Sequence, residues 1–173
     1  MKQRAHSNLK KWTAIFITII VYYVIHEGAH LILALCYDVF ERIRIVGLWG
    51  VQIVTTDGEL LGYRLAIFSG ISSIVTIVIG YLLYVLTPQI LKLRTKSFII
   101  LMYYITACFL LLDPIYISIL SSFIGGGGDI NGIVTGLGIP EVPIRIVFGC
   151  IALINIFLFT RKISPQYTKL FRR

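Results

Sequence analysis

Acidic residues are scarce in this chain. Eight Asp and Glu stand against sixteen Lys and Arg, charged residues make up 14% of the sequence, and histidine occurs three times. With 57% hydrophobic residues and a mean hydropathy of +0.88, so little charge excludes an ordinary soluble domain, whose apolar share is about half or below. Cysteine is also sparse. Cys36, Cys108 and Cys150 stand singly, without Cys-x-x-Cys spacing, which excludes a disulfide framework and a thiolate zinc site and leaves them as small packing residues.

What is abundant is long apolar sequence. Four runs, at about 12–36, 64–86, 97–123 and 143–160, are each long enough to cross roughly 30 Å of hydrocarbon, the last only just. The first has the basic flank and apolar core of a signal peptide but no small-x-small cleavage site, and reads as an uncleaved helix. The expected fold class is an all-α membrane protein: four transmembrane helices with a short membrane-associated β-hairpin between the first and second, forming a single core over 1–173.

The net charge of +8 follows this topology rather than a nucleic-acid surface. Lys2, Arg4, Lys10 and Lys11 precede the first run, Lys92, Arg94 and Lys96 separate the second and third, and Arg161, Lys162, Lys169, Arg172 and Arg173 follow the fourth. These twelve of the sixteen basic residues fall on one side of a four-span protein, with no acid among them. The positive-inside rule makes that side, and both termini, cytoplasmic. Contact with anionic lipid is a secondary role for the same residues, and no nucleic-acid partner is expected.

Against this apolar background, His26-Glu27-Gly28-Ala29-His30 lies inside the first run. A single Asp or Lys in mid-membrane costs roughly 2.5–3.5 kcal/mol on the insertion scale, so ionisable groups there need a function that offsets the cost. Residues i and i+4 share a helix face, so both imidazoles can point at one ion while Glu27 projects beside them and reaches a water at the metal. Zinc suits neutral imidazoles, tolerates an open fourth position and lowers the pKa of its water to about 7. Glu27 is then the expected general base.

A third ligand is needed. His6 sits in the basic N-terminal tail, far from the motif, which leaves Asp113 and Asp129. Asp113 lies sixteen residues after Ser97, about 24 Å along a straight helix, and His26 lies fourteen after Trp12, about 21 Å, so depth permits the pairing. Asp129 follows Gly125-Gly126-Gly127-Gly128, a stretch poorly suited to helix but able to turn irregular backbone back around a site. On chemistry alone the two remain open.

Between the first two runs, Glu41, Ile43 and Ile45 alternate with Arg42, Arg44 and Val46, and β-branched residues recur from Val51 to Thr56, with Gly47 and Gly50 marking a bend. This pattern predicts a β-hairpin at the membrane surface. It is either a simple connection or a strand edge on which an extended peptide could be held. Ser69-Gly70 and Ser72-Ser73 in the second run suit close helix packing, while Gln52, Asn131 and Asn155 are polar positions that more often satisfy a neighbouring helix than contact substrate.

Taken together, the chain resembles the site-2 protease family of intramembrane zinc metalloproteases. The resemblance covers most of the sequence. It rests on the apolar helix ending in His-Glu-x-x-His, the segment Ala34-Leu35-Cys36-Tyr37-Asp38-Val39-Phe40-Glu41-Arg42 leading into a hairpin, a small-residue helix, and a later Asp-Gly type motif. It implies that His26, His30 and a later aspartate bind Zn2+, with Glu27 as catalytic base. The run Gly-Gly-Asp129-Ile-Asn-Gly is the better match for the aspartate motif, so Asp129 is the implied third ligand. Leu-Asp-Gly itself is absent, and Asp113-Pro114 stands where Asn and Pro of the family pattern would be sought. The function implied is hydrolysis of peptide bonds in or next to transmembrane segments of membrane proteins. Two alternatives are a membrane metal-ion transporter, since zinc permeases also carry His-Glu-x-x-His on a membrane helix, and a catalytically silent protein that binds a membrane partner.

Overall fold

A computed structural model describes residues 2–46, 50–56, 58–124 and 128–171. It has four helices long and apolar enough to cross a membrane, over Leu9–Cys36, Gly62–Val85, Lys96–Phe123 and Glu141–Lys169. A two-stranded antiparallel hairpin joins the first two. The fold class expected from the apolar runs is the fold observed, a multi-pass all-α membrane protein with one hairpin.

Helix α1 runs from Lys2 to Cys36, so His6 belongs to a helix rather than a tail. It lies twenty residues before His26, about 30 Å along the axis. The helix stops at Asp38, whose φ of 59° is left-handed, a conformation that Asp tolerates better than most residues. There Tyr37 and Val39 donate their N–H groups to the Leu33 and Ala34 carbonyls, closing the helix end. Strands β1 (Phe40–Val46) and β2 (Gly50–Thr55) follow, paired from Phe40 with Thr55 to Val46 with Gly50 and bulged between Phe40 and Arg42. Val39, Ile53 and Leu60 pack with Ala34 of α1 and against Leu65 and Phe68, which docks the hairpin over the end of α1.

Helix α2 spans Gly62–Val85 and is followed by the short α3, Thr87–Ile90. The buried face of α2 consists of Ala66, Ser69, Gly70, Ser72, Ser73, Thr76 and Gly80, small side chains that let neighbouring backbones come close, as expected of this run. Helix α4 spans Lys96–Ile115 and passes through a π-helical turn, Tyr116–Leu120, into α5, Ser121–Ile124. Pro114 lies inside α4. Lacking an N–H, it leaves the carbonyl four residues earlier without a helical donor. That carbonyl, on Leu110, accepts from Asn155 Nδ2 at 2.6 Å, and Asn155 Oδ1 in turn accepts from Tyr81 at 2.6 Å. Asn155 is therefore a bond between helices, tying α2 and α4 to α7. Arg145 does similar work at the π-helical turn, donating to the carbonyls of Ile117 and Ser118 at 3.0 and 3.2 Å.

Helix α6, Gly128–Leu137, is short and lies against α2. Helix α7, Glu141–Leu158, continues through a second π-helical turn, Phe159–Ile163, into α8, Ser164–Phe171. The charges of Arg161 and Lys162 marked the end of the fourth run in the sequence, yet the helix continues past them. Long basic side chains at a span's end can keep their charged heads in water while the backbone stays helical.

Candidate metal centre

His26 and His30 lie one turn apart on the same face of α1, with ring centroids 5.3 Å apart. Their Nε2 atoms converge on one carboxylate. His26 Nε2 is 3.3 Å from Asp129 Oδ2, and His30 Nε2 is 3.5 Å from Asp129 Oδ1. One ligand atom from each of the three residues can be chosen so that all lie within 4.8 Å of one another. A tetrahedral ion with bonds of about 2.0–2.2 Å has its donor atoms roughly 3.4 Å apart, and each imidazole stands at about that spacing from one of the two Asp129 oxygens. Two imidazole nitrogens and one carboxylate oxygen are also a donor set that zinc accepts. The residues present can hold the ion.

Each imidazole is held from behind. His30 Nδ1 lies 2.8 Å from the Phe68 carbonyl. A carbonyl only accepts, so Nδ1 carries the proton and Nε2 keeps the lone pair a metal requires. Behind His26 stands Tyr22, whose hydroxyl is 3.2 Å from Nδ1 and donates to Asp113 Oδ1 at 2.5 Å. Thr76 of α2 donates to Asp113 Oδ2.

Both aspartates left open by the chemistry are thus at the site, on opposite sides of His26. Asp129 faces the two Nε2 atoms. Asp113 Oδ1 is 3.5 Å from Nδ1 of His26, the atom turned away from the cluster.

Asp129 reaches the histidines because of where α6 lies. It sits in the first turn of that helix, where a carboxylate is favoured by the helix dipole. Gly132 and Gly136 set the distance to α2. A Cβ on Gly132 would fall 2.7 Å from the Ser69 Cβ, and one on Gly136 would fall 2.4 Å from the Ala66 backbone nitrogen, so the close approach requires glycine at both positions. Gly128 opens α6, whereas Gly125, Gly126 and Gly127 of the expected irregular stretch lie outside the described residues.

Glu27, half-buried, lies between two cavities. One, of about 340 Å³, is lined by Glu27, His30, Arg44, Gln52, Ser69 and Asp129 among others. The second, of about 450 Å³, is lined by Tyr22, His26, Glu27, Gln52, Leu112 and Asp129 among others. The Glu27 carboxylate faces the backbone N–H of Ile53 in β2. That N–H is on the open edge of the hairpin. Thr56 donates its N–H to Val39, beside β1, and alternate residues of an antiparallel strand bond the same neighbour. Gln52 and Val54 therefore turn to β1, and Val51, Ile53 and Thr55 turn away from it, toward the cleft.

Compared with models of protein families, with curated proteins and with solved structures, the chain matches none.

The structure places His26, His30 and Asp129 beside one another, with Glu27 lining the same cavities. Gln52 lines both cavities, whereas Asn131 is exposed. Three groups were missed. Tyr22 carried a signal, since it precedes His26 by four residues and so shares its face. Thr76 and the Phe68 carbonyl carried none, because their relevance depends on how α2 packs against α1.

Proposed function

We propose that this chain is an intramembrane zinc metalloprotease of the site-2 protease type, hydrolysing peptide bonds in or next to transmembrane segments of membrane proteins. The observation that carries the reading is the convergence of His26 Nε2 and His30 Nε2, on a membrane helix, upon the Asp129 carboxylate of α6, with all three ligand atoms within 4.8 Å and Glu27 beside them. Bound there, zinc would supply Lewis acidity toward a carbonyl and water of lowered pKa.

The protein's own residues do the rest. His26 and His30 present neutral Nε2 lone pairs, Asp129 contributes the anionic ligand, and Glu27 takes the proton of the attacking water at its carboxylate and delivers it to the leaving amine nitrogen. The open edge of β2 supports a peptide substrate, since backbone groups of Val51, Ile53 and Thr55 are turned toward the cleft and suit an extended segment added as a further strand. A lipid-facing groove of about 460 Å³ between α1 and α4 supports lateral access. Leu112 lines both this groove and the cavity containing His26. A transmembrane substrate would have to unwind near the site to expose its backbone. The basic flanks put both termini on the cytoplasmic side, and the site nearer the opposite face.

The test is proteolysis in liposomes containing the full chain and a library of transmembrane peptides, read by mass spectrometry beside zinc content. We expect cleavage that a zinc chelator stops. We also expect a Glu27→Gln variant that keeps its zinc and cleaves about 10²- to 10⁴-fold more slowly. Undiminished cleavage by Glu27→Gln, or a wild type that holds no zinc, would sink the reading.

A further inference from the structure

Asp113 is 1% exposed in a helix that crosses the membrane, and among the described residues no Lys or Arg pairs with it. A carboxylate so placed is costly unless hydrogen-bonded and balanced by charge. Hydrogen bonds are present: Tyr22 of α1 and Thr76 of α2 each donate to one of its oxygens. Among the described residues the basic group recorded beside it is the His26 imidazole, 3.5 Å away, which in its neutral form brings no balancing charge.

The direction of the protons matters. The Tyr22 hydroxyl has one proton, and it goes to Asp113 at 2.5 Å. The Tyr22 oxygen is then free to accept from His26 Nδ1 at 3.2 Å. The chain His26 Nδ1–H to Tyr22, and Tyr22 O–H to Asp113, fixes the proton on Nδ1. The lone pair is left on Nε2, the atom 3.3 Å from Asp129. His30 reaches the same tautomer through a neutral backbone carbonyl, whereas His26 reaches it through a buried anion. An acceptor behind a ligand histidine fixes its ring and raises its basicity, and a negative charge there offsets part of a dication's charge in a medium of low dielectric.

We propose that Asp113 is a positioning residue for a divalent cation held by His26, His30 and Asp129, acting through Tyr22 on His26 rather than touching the ion. This rests on the metal-site reading above and assigns the second aspartate a role in it. Asp113, Tyr22 and Thr76 form one unit drawn from α4, α1 and α2, so the packing of three spans sets the orientation of one ligand.

The experiment is a Zn2+ titration of the full chain in detergent against a competing chelator, with the melting temperature of the metal-free protein measured alongside. The variants are Asp113→Asn, Tyr22→Phe, the double variant and Asp129→Asn. We expect Asp113→Asn and Tyr22→Phe still to bind one zinc per chain at saturation, each about 10- to 100-fold more weakly than wild type. The double variant should bind no more weakly than Asp113→Asn alone, because both act along one chain, and Asp129→Asn should lose the site.

If Asp113→Asn fails to fold, Tyr22→Phe carries the test, since it keeps the ring packed edge-on against Phe109. Unchanged zinc affinity in the folded variants, whatever their melting temperatures, would overturn the proposal and leave the metal site standing. Complete loss of zinc from folded Asp113→Asn would overturn it by making Asp113 a ligand. A wild type that binds no zinc would overturn the metal site and this proposal together.

Discussion

Asp129 approaches His26 from its Nε2 side, on a short helix pressed against α2, with 24% of its side chain exposed toward the cavities. Asp113 approaches the same ring from its Nδ1 side, in the middle of a transmembrane helix, with 2% of its side chain exposed. The two carboxylates share chemistry and a neighbour, and differ in what surrounds them. Asp129 has the open space and second histidine that a ligand needs. Asp113 borders the second cavity as well, but its two oxygens are taken by Tyr22 and Thr76. The comparison teaches that residue type and depth nominate both carboxylates, but the side of the imidazole each one faces sets them apart.

The sharpest way to break the comparison is to remove each aspartate's side chain function in turn. Asp129→Ala should reduce zinc per chain to near zero at metal concentrations that saturate wild type, as measured by elemental analysis, while Asp113→Asn should retain it. Equal retention in both variants would erase the distinction.

A smaller effect is expected where the position of Asp129 is set. Gly136→Ala places a Cβ 2.4 Å from the Ala66 backbone nitrogen and 2.6 Å from the Gly62 carbonyl oxygen. Backbone atoms do not rotate away, so α6 must shift, and overpacking of this kind costs about 1–3 kcal/mol. Zinc affinity and thermal stability should fall together, and an unchanged affinity would mean that Asp129 does not depend on this contact.

The smallest effect on the site should come from Asn155→Leu, at the Pro114 break in α4. It leaves the Leu110 carbonyl and the Tyr81 hydroxyl without their partner, a loss of about 1–3 kcal/mol. The melting temperature in detergent should drop while zinc binding holds. Loss of zinc in that variant would mean that the Pro114 break is coupled to Asp113, the residue before it, and that Asp113 is more sensitive to the helix's packing than its own contacts imply.

Much of the fold was legible in the sequence because membrane helices announce themselves. Hydrocarbon excludes unpaired backbone, so a long apolar run has few alternatives to helix. The hairpin was legible from the alternation over Glu41 to Val46 and the β-branched residues over Val51 to Thr56. Helix ends were less so: the charges at Arg161 and Lys162 did not stop α7 from continuing into α8, and Lys2 to Leu9 continues α1. At the site, His26, Glu27 and His30 were legible because i, i+4 spacing on one helix fixes their common face without help from the rest of the chain. Tyr22 obeys the same spacing and was overlooked because a tyrosine in an apolar run reads as packing.

The sequence by itself determined the four apolar helices, the hairpin and the pair of histidines on one face, since each follows from local periodicity and the cost of charge in hydrocarbon. Only the tertiary structure decided which aspartate meets the Nε2 atoms, that Tyr22 and Thr76 bond the other, and that the free edge of β2 lies beside Glu27. Those outcomes depend on how closely α6 packs on α2 and how α4 packs on α1, distances set by side-chain volumes on several helices at once, which no single segment encodes.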